Sequence, residues 1–130
     1  MSQAPWLRSA LLMGLCMASS AVTAQVSPKG NWRGIIDVLP NRPPVALVLK
    51  VAGETATLSL REPLQCNVLG RFVLLDQAGS HYKFEPANGG YCMRLYPGEM
   101  VVKPTMDNKL LITIPSTSGP ALHAELEHAP

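Results

Sequence analysis

Short segments in which apolar and polar residues alternate follow one another from about residue 30 to the end of the chain. The two clearest cover positions 45–51 and 55–61, where every second residue is Val, Leu or Ala. No segment keeps the i, i+3, i+4, i+7 apolar spacing that a helix needs over three turns. Since side chains alternate between the two faces of a strand, the pattern predicts strands with one buried and one exposed face.

Gly, Pro, Asn or Asp residues end each alternating segment, as expected at turns. The segments predict eight to nine short strands in one all-β domain, a single antiparallel β-barrel or sandwich. The predicted strands are Trp32–Val38, Val45–Val51, Thr55–Arg61, Cys66–Asp76, His81–Glu85, Tyr91–Tyr96, Met100–Lys103, Leu110–Ile114 and Ala121–Glu127.

The fourth predicted strand, Cys66–Asp76, is the longest and has an internal glycine. Its residues Val68, Phe72 and Leu74 are expected to share one face. Gly70 lies between these residues and predicts a bulge or a bend in the strand.

The first 24 residues have the layout of a secretory signal peptide. A positive charge at Arg8 precedes an apolar stretch of nine residues, Ala10–Ala18, and Val22-Thr23-Ala24 predicts cleavage between Ala24 and Gln25. A membrane anchor is disfavoured because nine helical residues rise only about 14 Å. Lipidation at Cys16 is disfavoured because Leu15 is too large for such a site. We therefore expect a signal peptide at residues 1–24, a single β domain at residues 25–130, and a periplasmic or secreted protein.

Two cysteines, Cys66 and Cys92, remain after the predicted cleavage. An even pair in an exported chain predicts a disulfide, with two buried free thiols as the alternative. In a strict meander the strands that carry them would be about 9.5 Å apart, too far for a disulfide. The bridge is therefore expected to close beyond the end of the fifth strand.

Composition excludes several classes of protein. Hydrophobic residues make up 47% of the chain, too many for a disordered protein, but no apolar run is long enough to span a bilayer. Charged residues make up 15%, the formal net charge is +2, and the basic residues do not cluster. The sequence thus predicts neither a membrane-spanning protein nor a nucleic-acid partner.

No arrangement of residues indicates catalysis. Ser80 and His81 are sequence neighbours and would point to opposite faces of a strand, and Ser80 is interpreted as a residue of a hairpin turn. His123 and His128 are five residues apart, whereas the helical zinc motif needs four. Nothing pairs the carboxylates of Asp37, Glu85 and Glu99. We expect no enzyme activity, no cofactor and no metal site.

Aromatic residues are the best predicted anchors for a partner. Trp32 shares the spacing of a first-strand core face, so it is expected in the core. Tyr91 and Tyr96 flank the predicted disulfide and are expected to be exposed in a loop whose backbone the disulfide fixes. They are the favoured partner-binding residues, and the hairpin containing Ser80, His81 and Tyr82 is the alternative.

Gly30-Asn-Trp32 at the first strand resembles the Gly-x-Trp start of lipocalin-like barrels. Further short motifs, including Pro63-x-x-Cys66 and His81-Tyr82-x-Phe84, resemble those of small exported bacterial β-barrel domains with one disulfide. The resemblance spans most of residues 30–114. It implies a barrel, and it makes a carrier of a small apolar ligand the alternative function.

Ala78-Gly79-Ser80-His81-Tyr82 resembles the Ser-Gly-x-x-Tyr loop of periplasmic C-type lysozyme inhibitors, with Ala78 in place of the serine. That resemblance implies a loop that enters the cleft of a target enzyme. The sequence therefore predicts a non-enzymatic binding module for a protein partner, such as an inhibitor or immunity-type protein, whose partner and oligomeric state it does not identify.

Overall fold

The structure is a computed structural model that describes residues 28–39, 41–87, 89–116 and 119–129. The predicted signal peptide lies outside these residues. Eight strands and one short helix, α1, follow in the order β1 Gly30–Ile36, β2 Val45–Ala52, β3 Thr55–Leu60, β4 Cys66–Asp76, β5 Gly79–Phe84, α1 Gly90–Met93, β6 Glu99–Pro104, β7 Leu110–Ile114 and β8 Leu122–His128. Within the described ranges, no helix has the length and apolar character needed to cross a membrane.

The strands form a closed antiparallel barrel in which each strand pairs with its neighbours in sequence. Pairing of β1 with β8 closes it, with Trp32 opposite His128 and Arg33 opposite Glu127. Gly34 lies at this seam, where an added Cβ would be 2.5 Å from Leu126 Cδ2 and 2.8 Å from the Glu125 carbonyl oxygen. The all-β barrel predicted from the alternating pattern is confirmed.

Alternating side chains from the strands fill the barrel interior. In β2 and β3 every second residue is buried, as the sequence pattern predicts. Trp32 is buried with 8% of its surface exposed, which confirms its predicted place in the core. The largest fully buried side chains are Tyr82, Phe84, Ile36, Leu47, Leu49, Leu58, Met100, Leu110, Ile112, Leu126, Val45 and Val68.

The barrel has two chemically different ends. The hairpin pole contains the turns at residues 53–54, 77–78 and 105–109, together with the start of β1 and the end of β8. The disulfide pole contains α1 and the Cys66–Cys92 bond.

The predicted strand Tyr91–Tyr96 is wrong, because α1 and a turn occupy this segment. The reason is that β5 pairs with β4 on one side and with β6 on the other, where His81 lies opposite Val101. No side of β5 remains for a strand at residues 91–96. Gly89 and Gly90 both have positive φ, a conformation that glycine adopts without steric cost. The chain therefore leaves the barrel wall after β5 and folds over its end.

The prediction that Val68, Phe72 and Leu74 share one face of β4 is wrong for Leu74. The irregularity in the strand falls between Phe72 and Leu74 instead of at Gly70, so Phe72 lies opposite buried Tyr82 and Leu74 lies opposite His81 on the outer face. Both Phe72 and Leu74 are exposed. Gly70 serves close packing, because a Cβ there would lie 3.0 Å from the Cβ of Tyr82.

A disulfide joins Cys66 at the start of β4 to Cys92 in α1, with a Cα–Cα distance of 5.9 Å. The predicted pairing is confirmed, and it closes beyond the end of β5 as the strand spacing requires. The bond holds α1 against the barrel, where Cys92 and Leu95 are buried in the core cluster.

Replacing both Cys66 and Cys92 by Ala is expected to lower the free energy of unfolding by about 3.5 kcal/mol, because the bond closes a loop with a sequence separation of 26 residues. Denaturant unfolding of oxidised wild type and the double variant measures the difference. Peptide mapping without reductant should recover the two cysteines linked, and two alkylatable thiols in protein purified under oxidising conditions would contradict the pairing.

Candidate partner-binding site

The end of β4 extends beyond the strand beside it. β4 has eleven residues and β3 has six, and their pairing ends where Arg71 lies opposite Thr55. One further backbone hydrogen bond joins them, donated by Phe72 N–H to the carbonyl of Glu54. On that side no described strand pairs with residues 73–76, which therefore form a free strand edge at the hairpin pole.

Four consecutive apolar residues occupy this part of β4. Phe72, Val73, Leu74 and Leu75 are each between 40% and 53% exposed. An exposed edge strand normally carries charges or proline that discourage pairing with another chain. Here the first charged residue after Arg71 is Asp76, so the edge between them is entirely apolar.

The apolar side chains lie on both faces of the sheet, because paired residues share a face. Phe72 lies opposite Tyr82 on the inner face, where their rings meet edge to face with centroids 5.8 Å apart. Leu75 lies opposite buried Ser80 on the same face. Leu74 lies opposite His81 on the outer face. A strand added to the edge would meet apolar groups on either side.

His81 links the three strands that carry this edge. Its Nε2 lies 2.9 Å from Asp76 Oδ1 at the end of β4, and its Nδ1 lies 3.2 Å from Glu99 Oε2 at the start of β6. Both ring nitrogens can donate to carboxylates only when the imidazole is protonated. Asp76 also accepts a hydrogen bond from the Ala78 N–H, which fixes the turn at the tip.

These contacts shift two pKa values in opposite directions. The hydrogen bond to Asp76, supported by the one to Glu99, raises the pKa of His81 above 6.5, against the opposing effect of burial. The hydrogen bond from His81 lowers the pKa of Asp76 below 3.8. The charged cluster is therefore favoured in mildly acidic solution.

The predicted site residues fall into separate places. Ser80 is buried in β5 opposite Val102, so its interpretation as a turn residue is wrong; the turn is confined to Gln77 and Ala78. Tyr82 is 1% exposed and belongs to the core. Of the predicted hairpin residues, His81 alone reaches the outer face, with 15% of its side chain exposed.

Tyr91 and Tyr96 lie at the opposite, disulfide pole. Tyr91 is half-buried against the core, and the Arg94 guanidinium lies 5.9 Å from its ring centroid. Burial raises the pKa of Tyr91. Tyr96 is 43% exposed. Their role in binding a partner stays a prediction.

Sequence reasoning missed the free edge of β4. The signal was present, since Phe72-Val73-Leu74-Leu75 is a run of four apolar residues that interrupts the alternating pattern. The alternating pattern alone places Phe72 and Leu74 on one face, because it shows neither the irregularity between them nor the point at which β3 ends.

Two other features of the described residues bear on the predicted chemistry, the possible metal ligands and His123. Over the described ranges, no group of three His, Cys, Asp or Glu side chains is placed to hold a metal ion. His123 lies on the exposed face of β8, with its Nδ1 3.4 Å from Thr113 Oγ1. Comparison of the chain with models of protein families, with curated proteins and with solved structures finds no match.

The His81 cluster predicts a pH-dependent contribution to stability. Because the folded-state pKa of His81 is raised above 6.5, its contribution is complete below that pH and is lost as the pH rises through the folded-state pKa. Because the pKa of Asp76 is lowered below 3.8, its contribution is present above that pH and is lost as the pH falls through the folded-state value.

Replacing His81 by Gln should therefore lower the free energy of unfolding more at about pH 5.5 than at about pH 8.5. Denaturant unfolding at both pH values measures this difference. His123→Gln makes the same substitution on β8, where the His123 Nδ1 lies 3.4 Å from the Thr113 hydroxyl, and measures the effect of the substitution itself. An equal effect of His81→Gln at the two pH values would contradict the ion-pair arrangement.

Proposed function

We propose that this protein is an exported, non-enzymatic binding module that takes an extended segment of a partner protein at the free edge of β4. The observation that carries the proposal is the run of four exposed apolar residues, of which residues 73–75 lie on a strand edge that no described strand covers. Export rests on the predicted signal peptide, and the disulfide is consistent with it.

Backbone groups supply the affinity in this mode of recognition. A free edge offers N–H and C=O groups to an incoming strand, and the side-chain pockets beside it select alternate residues of that strand. The edge is held in place on its other side, because β5 pairs with β4 as far as Gly79 opposite Asp76. The partner strand would therefore add to a preorganised sheet, which lowers the entropic cost of binding.

The chemistry of the edge defines the partner. With apolar side chains on both faces, it favours a segment that carries apolar residues at consecutive as well as alternate positions. Beyond the apolar edge, Arg71 forms an ion pair with Glu85, and Asp76 Oδ1 lies 2.9 Å from His81 Nε2. Because the charged groups at both ends already contact local partners, we expect weak dependence of the affinity on salt.

A second copy of the chain is the less favourable occupant. Antiparallel pairing of two such edges overlaps only at residues 73–76 because β3 blocks the edge at Arg71 in each copy. Four residue pairs extend about 13 Å, a short contact for a stable dimer. A foreign segment can continue past the hairpin tip and along the inner-face side chains of Phe72 and Leu75.

The proposal keeps the inhibitor or immunity-type function as the class of activity, and it places the contact at the hairpin pole. This is the pole where the resemblance to periplasmic lysozyme inhibitors puts the inhibitory loop. A carrier with its ligand inside the barrel finds less support, because fully buried side chains such as Leu47, Leu49 and Leu58 occupy the barrel interior.

Site-specific photo-crosslinking in cells that export the protein tests the location. A photoreactive phenylalanine analogue at position 74 is expected to form an adduct with an extended segment of another protein. The same analogue at Ile35, exposed on the outer face of β1, is the matched control and should form none. Adducts at position 96 alone would move the site to the disulfide pole, and adducts with twice the mass of the chain would identify a second copy as the occupant.

Binding of a synthetic peptide with the cross-linked sequence tests the chemistry of the edge. Leu75→Lys should weaken binding about tenfold or more, equivalent to about 1.4 kcal/mol, because the new charge would lie on the face that the partner covers. Ile35→Lys makes the same change elsewhere and should leave the affinity unchanged. Isothermal titration calorimetry measures both, and equal affinities for Leu75→Lys and wild type would contradict the proposed edge.

A further inference from the structure

A pocket of about 780 Å³ lies at the hairpin pole on the side of the barrel away from β4. It is bounded by the start of β1, the end of β8 and the β6–β7 hairpin. Trp32, Pro28, Pro104 and Leu110 give it an apolar wall. Its volume is in the range of pockets that take a drug-sized molecule.

One polar group in this wall has no partner. Among the described residues, the indole Nε1 of Trp32 is buried without a hydrogen-bond acceptor. Buried polar groups are nearly always paired, and an unpaired donor costs about 1–3 kcal/mol. The ring of His128 packs edge to face on Trp32 with centroids 4.9 Å apart, and His128 also lines the pocket.

The polar rim of the pocket is cationic. Lys29 and Lys109 both line it, whereas none of the described lining residues is acidic. Lys109 lies 3.8 Å from Glu125, a long ion pair between side chains that are 39% and 55% exposed. Such exposed pairs contribute little and are readily exchanged. Both ammonium groups are thus available to an anion.

We propose that this pocket binds a small amphipathic anion, with its apolar body against Trp32 and Pro104 and its carboxylate or phosphate head between Lys29 and Lys109. An acceptor atom of the head or of its linkage to the apolar body would receive the Trp32 N–H. The site is independent of the partner-binding edge, since none of its lining residues belongs to β4 or β5.

The fluorescence of Trp32 can be used to measure binding in the pocket. The sequence has two tryptophans, and the other lies within the predicted signal peptide, so the chain from Gln25 has a single tryptophan. Fluorescence titration of this chain with dodecanoate and with dodecyl phosphate, below their micellar concentrations, should give saturable changes at Trp32. Dodecanol, which has the same chain and no charge, should bind about tenfold more weakly or worse.

The preferred head group is identified by comparing the two anions with each other and with one further probe, inorganic phosphate. Dodecanoate and dodecyl phosphate differ only in the head, and the tighter of the two identifies it. Inorganic phosphate alone should produce no saturable change, because the apolar wall would remain unfilled. Binding of inorganic phosphate as tight as that of dodecyl phosphate would overturn the amphipathic assignment.

The double variant Lys29→Gln/Lys109→Gln should weaken both anions about tenfold or more and remove their advantage over dodecanol. Lys50→Gln is the matched control, since Lys50 is exposed on β2 outside the pocket, and should bind like wild type. Trp32→Phe, followed by calorimetry, should weaken binding by removal of the N–H donor.

Leu75→Lys should bind the amphiphiles normally, so a failure of the partner-binding proposal leaves this one intact. Equal affinity for dodecanol and dodecanoate, an equal loss in Lys50→Gln, or no saturable binding by the wild type would each overturn the assignment.

Discussion

Strand pairing in a closed barrel can continue only as far as the shorter of two neighbouring strands, and this constraint shapes the hairpin pole. β4 has eleven residues and β3 has six, so β4 continues past its neighbour while β5 still pairs with it on the other side. The additional residues carry apolar side chains without an opposing layer. A run of four exposed apolar residues therefore lies at a free strand edge, where the proposed partner would contact both the side chains and the backbone.

A second constraint governs the opposite pole. Because β5 and β6 pair directly, the segment between them cannot remain in the wall of the barrel. It instead forms α1, and the Cys66–Cys92 bond fixes it over the barrel end. The barrel thus has one pole closed covalently and one pole formed by hairpins and the described chain ends. The two proposed binding sites, the β4 edge and the Trp32 pocket, both lie at the hairpin pole.

Much of the fold could be predicted because its signals are local. β2, β3 and β7 follow from alternation, and the disulfide follows from an even pair of cysteines in a chain with a predicted signal peptide. The helix α1 could not be predicted, since Tyr91–Tyr96 looks like a strand unless the β5–β6 pairing is known. The β4 edge was missed for a similar reason: whether Phe72 and Leu74 are buried depends on where β3 ends. Aromatic residues were the criterion for predicted partner-binding sites, and they favoured Tyr91 and Tyr96. The free edge consists mainly of aliphatic residues, which that criterion does not select.

Amide hydrogen exchange in the free protein, followed residue by residue by NMR, tests the central claim most directly. The account predicts slow exchange in the part of β4 flanked by β3 and β5, as at Val68 and Leu69. It predicts fast exchange for those amides of Val73–Asp76 that face away from β5, because no neighbouring strand accepts their hydrogen bonds. Uniformly slow exchange across Val73–Asp76 would show that the edge is already covered and would contradict the account.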